Sequence, residues 1–184
     1  LIQGDSGVYG LEVDTARSDN LVVTGNIVLA GTVNIITDPS DKLDGQTFTI
    51  VRAEGSVSGE YDEVTDLSPF LFETLHYDPN SISVSFTRDF TAPATTANEA
   101  AVGAYLNGIY LPIDQGDLDN VFYALDNTVT AAAGAKALQL LSGETLGNGM
   151  TADALQRGQF TRALEDRIAG RRFGIGQNAV TAAT

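Results

Sequence analysis

At 184 residues the chain can hold one domain or two small ones around a proper core, and 43% hydrophobic with 18% charged residues is the composition of a folded protein. A net charge of −14 disfavours binding to phosphate backbones, and the absence of cysteine excludes disulfides, thiolate metal sites and cysteine nucleophiles. No apolar run approaches the roughly 20 residues of a membrane-spanning helix.

The charge is uneven. Residues 1–90 hold 15 acidic and 4 basic side chains, residues 91–184 hold 9 and 6, and Arg157, Arg162, Arg167, Arg171 and Arg172 gather near the end. Texture changes at the same place. Before residue 91, short apolar runs are broken by Gly, Asp and Asn; after it, apolar residues fall at helical spacing. Two regions are expected, 1–90 and 91–184. The chain opens on Leu1 without a signal-peptide pattern, and the expectation is a piece cut from a longer precursor.

In chain order, Gly4-Asp5-Ser6-Gly7 matches the tetrapeptide around the nucleophile of chymotrypsin-like proteases. A serine nucleophile needs a histidine base, and the one histidine, His76, follows Ser6 instead of preceding it. A Gly-flanked turn is expected at Ser6 and a partly buried strand position at His76. Between Asp19 and Ile36, Leu21, Val23, Ile27, Leu29, Val33 and Ile35 alternate within three short pieces separated at Gly25 and Gly31. Three strands with two corners in so short a stretch fit one coil of a parallel β-solenoid, whose coils bury a shared core by stacking. An antiparallel sandwich is the rival fold.

Asp38, Asp41 and Asp44 precede Gly45, a grouping that suits a hard cation such as calcium; the spacing is not that of an EF-hand, and a solvated loop is the better reading. Further strands are expected at 47–52, 75–77 and 82–87, with Asp78-Pro79-Asn80 turning a hairpin that caps the solenoid.

Thr96 with Glu99 is a capping-box signature, and Val102, Tyr105, Leu106 and Ile109 then share one helical stripe ended by Pro112. Asp117 or Asp119 can cap a second helix carrying Leu118, Val121, Phe122 and Leu125. An Ala-rich helix follows from Ala131 to Leu141, and a fourth is expected from Thr151 to Gly170 with Phe160, Leu164 and Ile168 on its apolar side. Gly174-Ile175-Gly176 opens a dinucleotide-binding pattern, but no strand precedes it and too little chain follows for a helix. The fold expected is α+β by segregation: a solenoid end with a β cap, then an all-α module of about four helices. No catalytic residue, cofactor or metal site is expected.

Three stretches together resemble the C-terminal part of the passenger of bacterial type V autotransporters. They are the coil from Asp19 to Ile36; Gly45-Gln46-Thr47-Phe48-Thr49-Ile50-Val51 with Gly59-Glu60-Tyr61 and the stretch 75–84; and Thr95-Thr96-Ala97-Asn98-Glu99-Ala100-Ala101-Val102 with Ala137-Leu138-Gln139-Leu140-Leu141-Ser142-Gly143-Glu144. The resemblance covers roughly Asp19 to Arg167. It implies a right-handed parallel β-helix ending in an autochaperone-like cap, then a helical connector toward the β-barrel translocator of the same precursor. It implies a place at the cell surface, tethered to the outer membrane. Residues 171–184 show no series of alternating strands, so the barrel is expected to lie outside this stretch.

The function expected is a non-enzymatic structural segment that caps the β-helix and assists passenger folding during secretion. Folding is expected to depend on Leu21, Val23, Ile27, Leu29, Val33, Ile35, Tyr105 and Phe122. The alternatives are an adhesion or self-association module binding a host surface or another copy through its acidic β face, and a hydrolase using Ser6.

Overall fold

The structure, a computed structural model, describes residues 1–65, 68–143 and 156–165. One compact unit spans Leu1–Ser142, and a second spans Gly143–Thr184.

Among the described residues nine strands build the β part: β1 (Val8–Glu12), β2 (Leu21–Val23), β3 (Ile27–Leu29), β4 (Thr32–Ile36), β5 (Thr47–Ala53), β6 (Val57–Gly59), β7 (Glu63–Val64), β8 (Leu71–Asp78) and β9 (Ser81–Arg88). The stretch 19–36 makes no hairpin. Its three strands each pair in parallel with another part of the chain: β4 with β1 and β7, β2 with β5, and β3 with β6. Leu21 lies beside Val51 and Ile27 beside Val57, so the same 30-residue interval separates both pairs. At β9 the pattern turns antiparallel, giving the order β2-β5-β9-β8.

The corners explain two of the glycines. Gly31 and Gly59 have φ of 77° and 75°, and a Cβ on Gly59 would stand 2.2 Å from the Leu29 carbonyl oxygen. Gly25, at the other corner, has room for a side chain, since a Cβ there would meet nothing within 4 Å.

Ile27, Leu29, Val33 and Ile35 are fully buried in one core with Leu11, Leu43, Ile50 and Ile82. Leu21 and Val23, expected to be buried with them, are only half-buried. The reason is position: β2 is three residues long and forms an edge of its sheet. β8 is longer than its sequence signal. Phe72, 44% exposed, stands on the outer face of an otherwise alternating strand and blurs its period.

Three helices complete the first unit: α1 (Ala97–Ile109), α2 (Asp117–Asp126) and α3 (Ala131–Leu141). They share a second core of Phe70, Phe90, Leu106, Tyr110, Phe122, Leu125 and Leu138. Phe70 and Phe90 come from the β region, so the expected boundary at 90/91 falls inside a single compact unit.

Tyr105 does not join that core; it is 68% exposed. The buried positions of α1 are Glu99, Gly103 and Leu106, and a Cβ on Gly103 would stand 2.4 Å from the Phe90 carbonyl oxygen. Gly103 is therefore the point of closest approach, and Tyr105, two residues or about 200° further round, points away. In α2, Phe122 and Leu125 are buried whereas Leu118 is 40% exposed. In the second unit, residues 156–165 are helical, with Phe160 71% and Leu164 49% exposed instead of packed. Ile168, Arg167, Arg171, Arg172 and the stretch 174–179 lie outside the described residues.

Gly103→Ala should lower stability by about 1–3 kcal/mol, because the helix must lift off rigid backbone. Gly108→Ala, whose Cβ would meet nothing within 4 Å, should be neutral or add up to about 1 kcal/mol. Urea midpoints of the two variants beside the parent check this.

Candidate functional site

The chemistry of this molecule is concentrated where the parallel strands end and the helices begin. An end of a β stack leaves backbone donors without partners, and these must be satisfied or face water. Here the β8–β9 hairpin meets them. The Pro79 carbonyl accepts the Val57 N–H at 2.8 Å, the Asn80 carbonyl accepts the Ala53 N–H at 2.8 Å, and the Tyr77 hydroxyl accepts the Tyr61 N–H at 3.0 Å. The expected Asp78-Pro79-Asn80 turn thus supplies carbonyls to two other strands.

The inner face of β9 continues past the sheet. Ile82, Val84, Phe86, Arg88 and Phe90, all at the same parity, are all buried. The first three belong to the strand core and Phe90 to the helical core. Phe90 packs on Phe70, Tyr110 and Phe122 at ring separations of 5.5, 5.8 and 5.4 Å, and Tyr110 meets Phe122 edge-on at 5.0 Å. α1 is tied to this strand end by Asn107, whose side-chain oxygen accepts the Phe90 N–H at 2.8 Å and whose amide donates to Asp89.

Arg88 stands between the two cores. Its side chain is 2% exposed and pairs with Asp126 at the end of α2, while its backbone N–H donates to Asp44 at 2.7 Å. The guanidinium also stacks over the Tyr110 and Phe90 rings, at 4.7 and 5.2 Å from their centroids. Burial pushes the Asp126 carboxyl up from its ordinary value, with the bond to Arg88 pulling the other way. Arginine does not give up its proton in a protein, and a neutral Asp126 would leave it buried alone, so the pair is ionised. A second pair joins Lys42 to Asp119, on the first turn of α2.

The expected capping box on α1 is present. Thr96 accepts the Glu99 N–H, and the Glu99 carboxylate accepts N–H bonds from Thr95 and Thr96. The cap of α2 differs from expectation: Gly116 occupies the N-cap, and Asp117 and Asp119 sit one and three residues inside, where a carboxylate still favours the helix dipole.

The remaining candidates have other work. Asp38 accepts bonds from Ser40, Asp41 from Thr15 and Thr37, and Asp44 from Arg88, so the three carboxylates serve separate partners. Asp114, in the loop before α2 and the third carboxylate beside Asp117 and Asp119, accepts the Gly116 N–H. Ser6 lies in an exposed turn, and His76, exposed instead of partly buried, bonds the Ser85 hydroxyl across the hairpin at 2.7 Å. Phe122 is in the junction, 2% exposed, and Tyr105 is not.

Arg88, Asp126, Tyr110, Phe70, Phe90 and Lys42 carry the junction without having been singled out by the sequence. Arg88 and Phe90 had a usable signal, since they continue the alternation of β9.

No protein-family model matches the chain. Over 107 aligned residues it is 29% identical to the extracellular serine protease of Serratia marcescens, a match that covers 51% of this chain and 10% of that protein. The chain therefore spans about a tenth of the length of the curated relative it matches.

Two measurements follow. Asp126→Ala should cost about 3–5 kcal/mol by stranding a buried guanidinium, and the double change Arg88→Met with Asp126→Leu should cost clearly less. Acid should also destabilise the fold. Bonds from Thr95 and Thr96 hold Glu99 below its ordinary value, Thr91 and Asn107 do so for Asp89, and Lys42 does so for Asp119. Their contribution is complete above the ordinary carboxylate range, about pH 4, and is lost as pH falls through the lowered folded values. Asp126 is raised and acts in the opposite sense. In urea midpoints recorded against pH, Glu99→Gln should make the acid-side fall shallower.

Proposed function

We propose that this chain is a non-enzymatic structural segment near the C-terminal side of a secreted autotransporter passenger. In this reading β1–β7 are the last coils of a right-handed parallel β-helix. The β8–β9 hairpin and α1–α3 close it and act as a folding seed, and the chain continues toward the β-barrel translocator of the same precursor. The mature location is the cell surface or its surroundings, tethered through the outer membrane in the precursor.

The observation that carries the proposal is the asymmetry of the two ends. At one end the hairpin takes up the N–H groups of Ala53, Val57 and Tyr61, and the helices cover Phe70 and Phe90. At the other, among the described residues, β1 pairs only with β4 and β2 only with β5, leaving parallel edges of the kind on which further coils stack. The Serratia protein matched here is named as extracellular, which supports a secreted setting. Its name as a protease does not bring a mechanism with it, because Ser6 and His76 occupy an exposed turn and an exposed strand face with His76 already bonded to Ser85.

A seed must be stable before the coils behind it form, and its stability rests on the aromatic junction. Phe122→Asp should cost about 3–5 kcal/mol or more in urea denaturation, because it removes a buried ring and buries a carboxylate. Tyr105→Asp, on the exposed side of α1, should change it by less than about 0.5 kcal/mol. In the full-length precursor, Phe122→Asp should reduce folded passenger at the cell surface, read by protease accessibility, while Tyr105→Asp leaves it unchanged. Equal display of both variants would reduce the helices to a passive tether. Stoichiometric labelling of Ser6 by a serine-reactive phosphonate would overturn the non-enzymatic reading.

A further inference from the structure

Strand β8 is an outer strand of its sheet: in the order β2-β5-β9-β8 no strand lies beyond it among the described residues. The two-residue turn at Pro79 and Asn80 makes Asp78 and Ser81 a bonded pair, and bonding alternates from there along the hairpin. Leu75 and Tyr77 therefore turn their N–H and C=O groups away from β9. The Leu71 N–H, of the same parity, likewise leaves the sheet and donates to the Ser68 hydroxyl at 3.1 Å. With Ser68 beside Leu71 and Glu73 already engaged, the edge in question runs from Thr74 to Asp78.

Natural sheets guard such edges with lysine, proline, a bulge or a very short strand. β8 uses none of these. It is eight residues long, contains neither lysine nor proline, and pairs with β9 without a break from Leu71 to Asp78. A regular edge of this kind is a template for one more strand.

The side chains along it say what that strand carries. On the outer face Phe72 is 44% exposed and is followed by exposed Thr74 and His76, so an apolar side chain beside Thr74 reaches the Phe72 ring diagonally. The inner face presents half-buried Leu75 and Tyr77. Burial pushes the Tyr77 hydroxyl up, the bond from Tyr61 pulls it down, and the charges of Glu60 and Asp62 push it up again, so both carboxylates stand near it. Asp78 adds a third at the strand end. No cation of the β part answers them. Arg17, Lys42 and Arg88 are paired with Asp14, Asp119 and Asp126, and Arg52 stands on β5 with β9 between it and β8. A lysine or arginine opposite Tyr77 can lay its stem along the ring and its charge among the carboxylates. A second copy of this chain, itself at −14, brings like charge to the same place.

We propose that the edge of β8 takes up an extended basic segment of a partner protein as an added strand. Its backbone pairs with Leu75 and Tyr77, its basic side chains face Glu60, Asp62 and Asp78, and its apolar side chains lie on the outer face beside Phe72. The proposal is independent of the folding role and assigns this end of the molecule a recognition function as well.

The test is fluorescence anisotropy on the whole chain with a labelled, end-capped eight-residue peptide of alternating valine and arginine. Saturable binding is expected, weakened about tenfold or more when glutamate replaces arginine. Two further peptides are N-methylated, one on every valine and one on every arginine. In an added strand only one of these sets faces β8, so one peptide should lose binding and the other should stay within about threefold of the parent. Hydrogen exchange at the Leu75 and Tyr77 amides should slow about tenfold or more at saturation. Absence of binding by the arginine peptide would overturn the proposal, as would an equal effect of the two methylation patterns, which marks charge attraction without strand pairing. Slow exchange at Leu75 and Tyr77 in the peptide-free chain, together with a dimer in sedimentation, would assign the edge to a second copy and overturn it too.

Discussion

The inward face of β9 is the constraint on which the rest of the structure depends. Ile82, Val84 and Phe86 lie in the core of the strands, Phe90 lies in the core of the helices, and Arg88 is buried between them. Because side chains alternate along extended chain, one parity serves both cores, and the register of a single strand fixes how they meet. The buried ion pair then acts on geometry more than on stability. Arg88 can be neutralised only when α2 brings Asp126 to it, so any other docking of the helices leaves a buried charge exposed to no partner.

This arrangement gives the two ends of the β part different physical characters. The hairpin end is closed by carbonyls from Pro79 and Asn80, by the Tyr77 hydroxyl and by an aromatic cluster. At the opposite end, among the described residues, β1 and β2 have one strand partner each, β3 has only the short segment Leu1–Gln3 on its outer side, and Leu21 and Val23 are only half-buried. Closed ends rich in aromatic burial gain stability that depends on nothing further along the stack. Open parallel edges gain it only when another strand arrives. The asymmetry suits a molecule that orders from its hairpin end.

Much of the element pattern was legible in the sequence. The Thr96 and Glu99 capping box, the Asp78-Pro79-Asn80 turn, the limits of α3 and the burial of Ile27, Leu29, Val33 and Ile35 all follow from local rules of cap, turn and alternation. The failures were tertiary. Tyr105 fitted the helical stripe by spacing, but the close contact of Gly103 with the Phe90 backbone rotates α1 and turns Tyr105 outward. Strands β1, β6 and β7 were missed because two- to five-residue strands gain their identity from their neighbours rather than from their own pattern. Phe160 and Leu164 read as core by period alone and are exposed. Arg88 shares the parity of Ile82 and Phe86 and is buried with them, although arginine is a residue type rarely found inside unless paired.

The central claim is that stability is anchored at the hairpin and its helices and spreads toward β1. Native-state amide hydrogen exchange tests it most directly, since it reads the opening free energy of each strand separately. The account predicts the slowest exchange in β5, β9 and the segments around Phe90 and Phe122, with β1, β2 and β3 opening at much lower cost. Protection greatest in β1–β3, with β9 and the helices exchanging first, would contradict it.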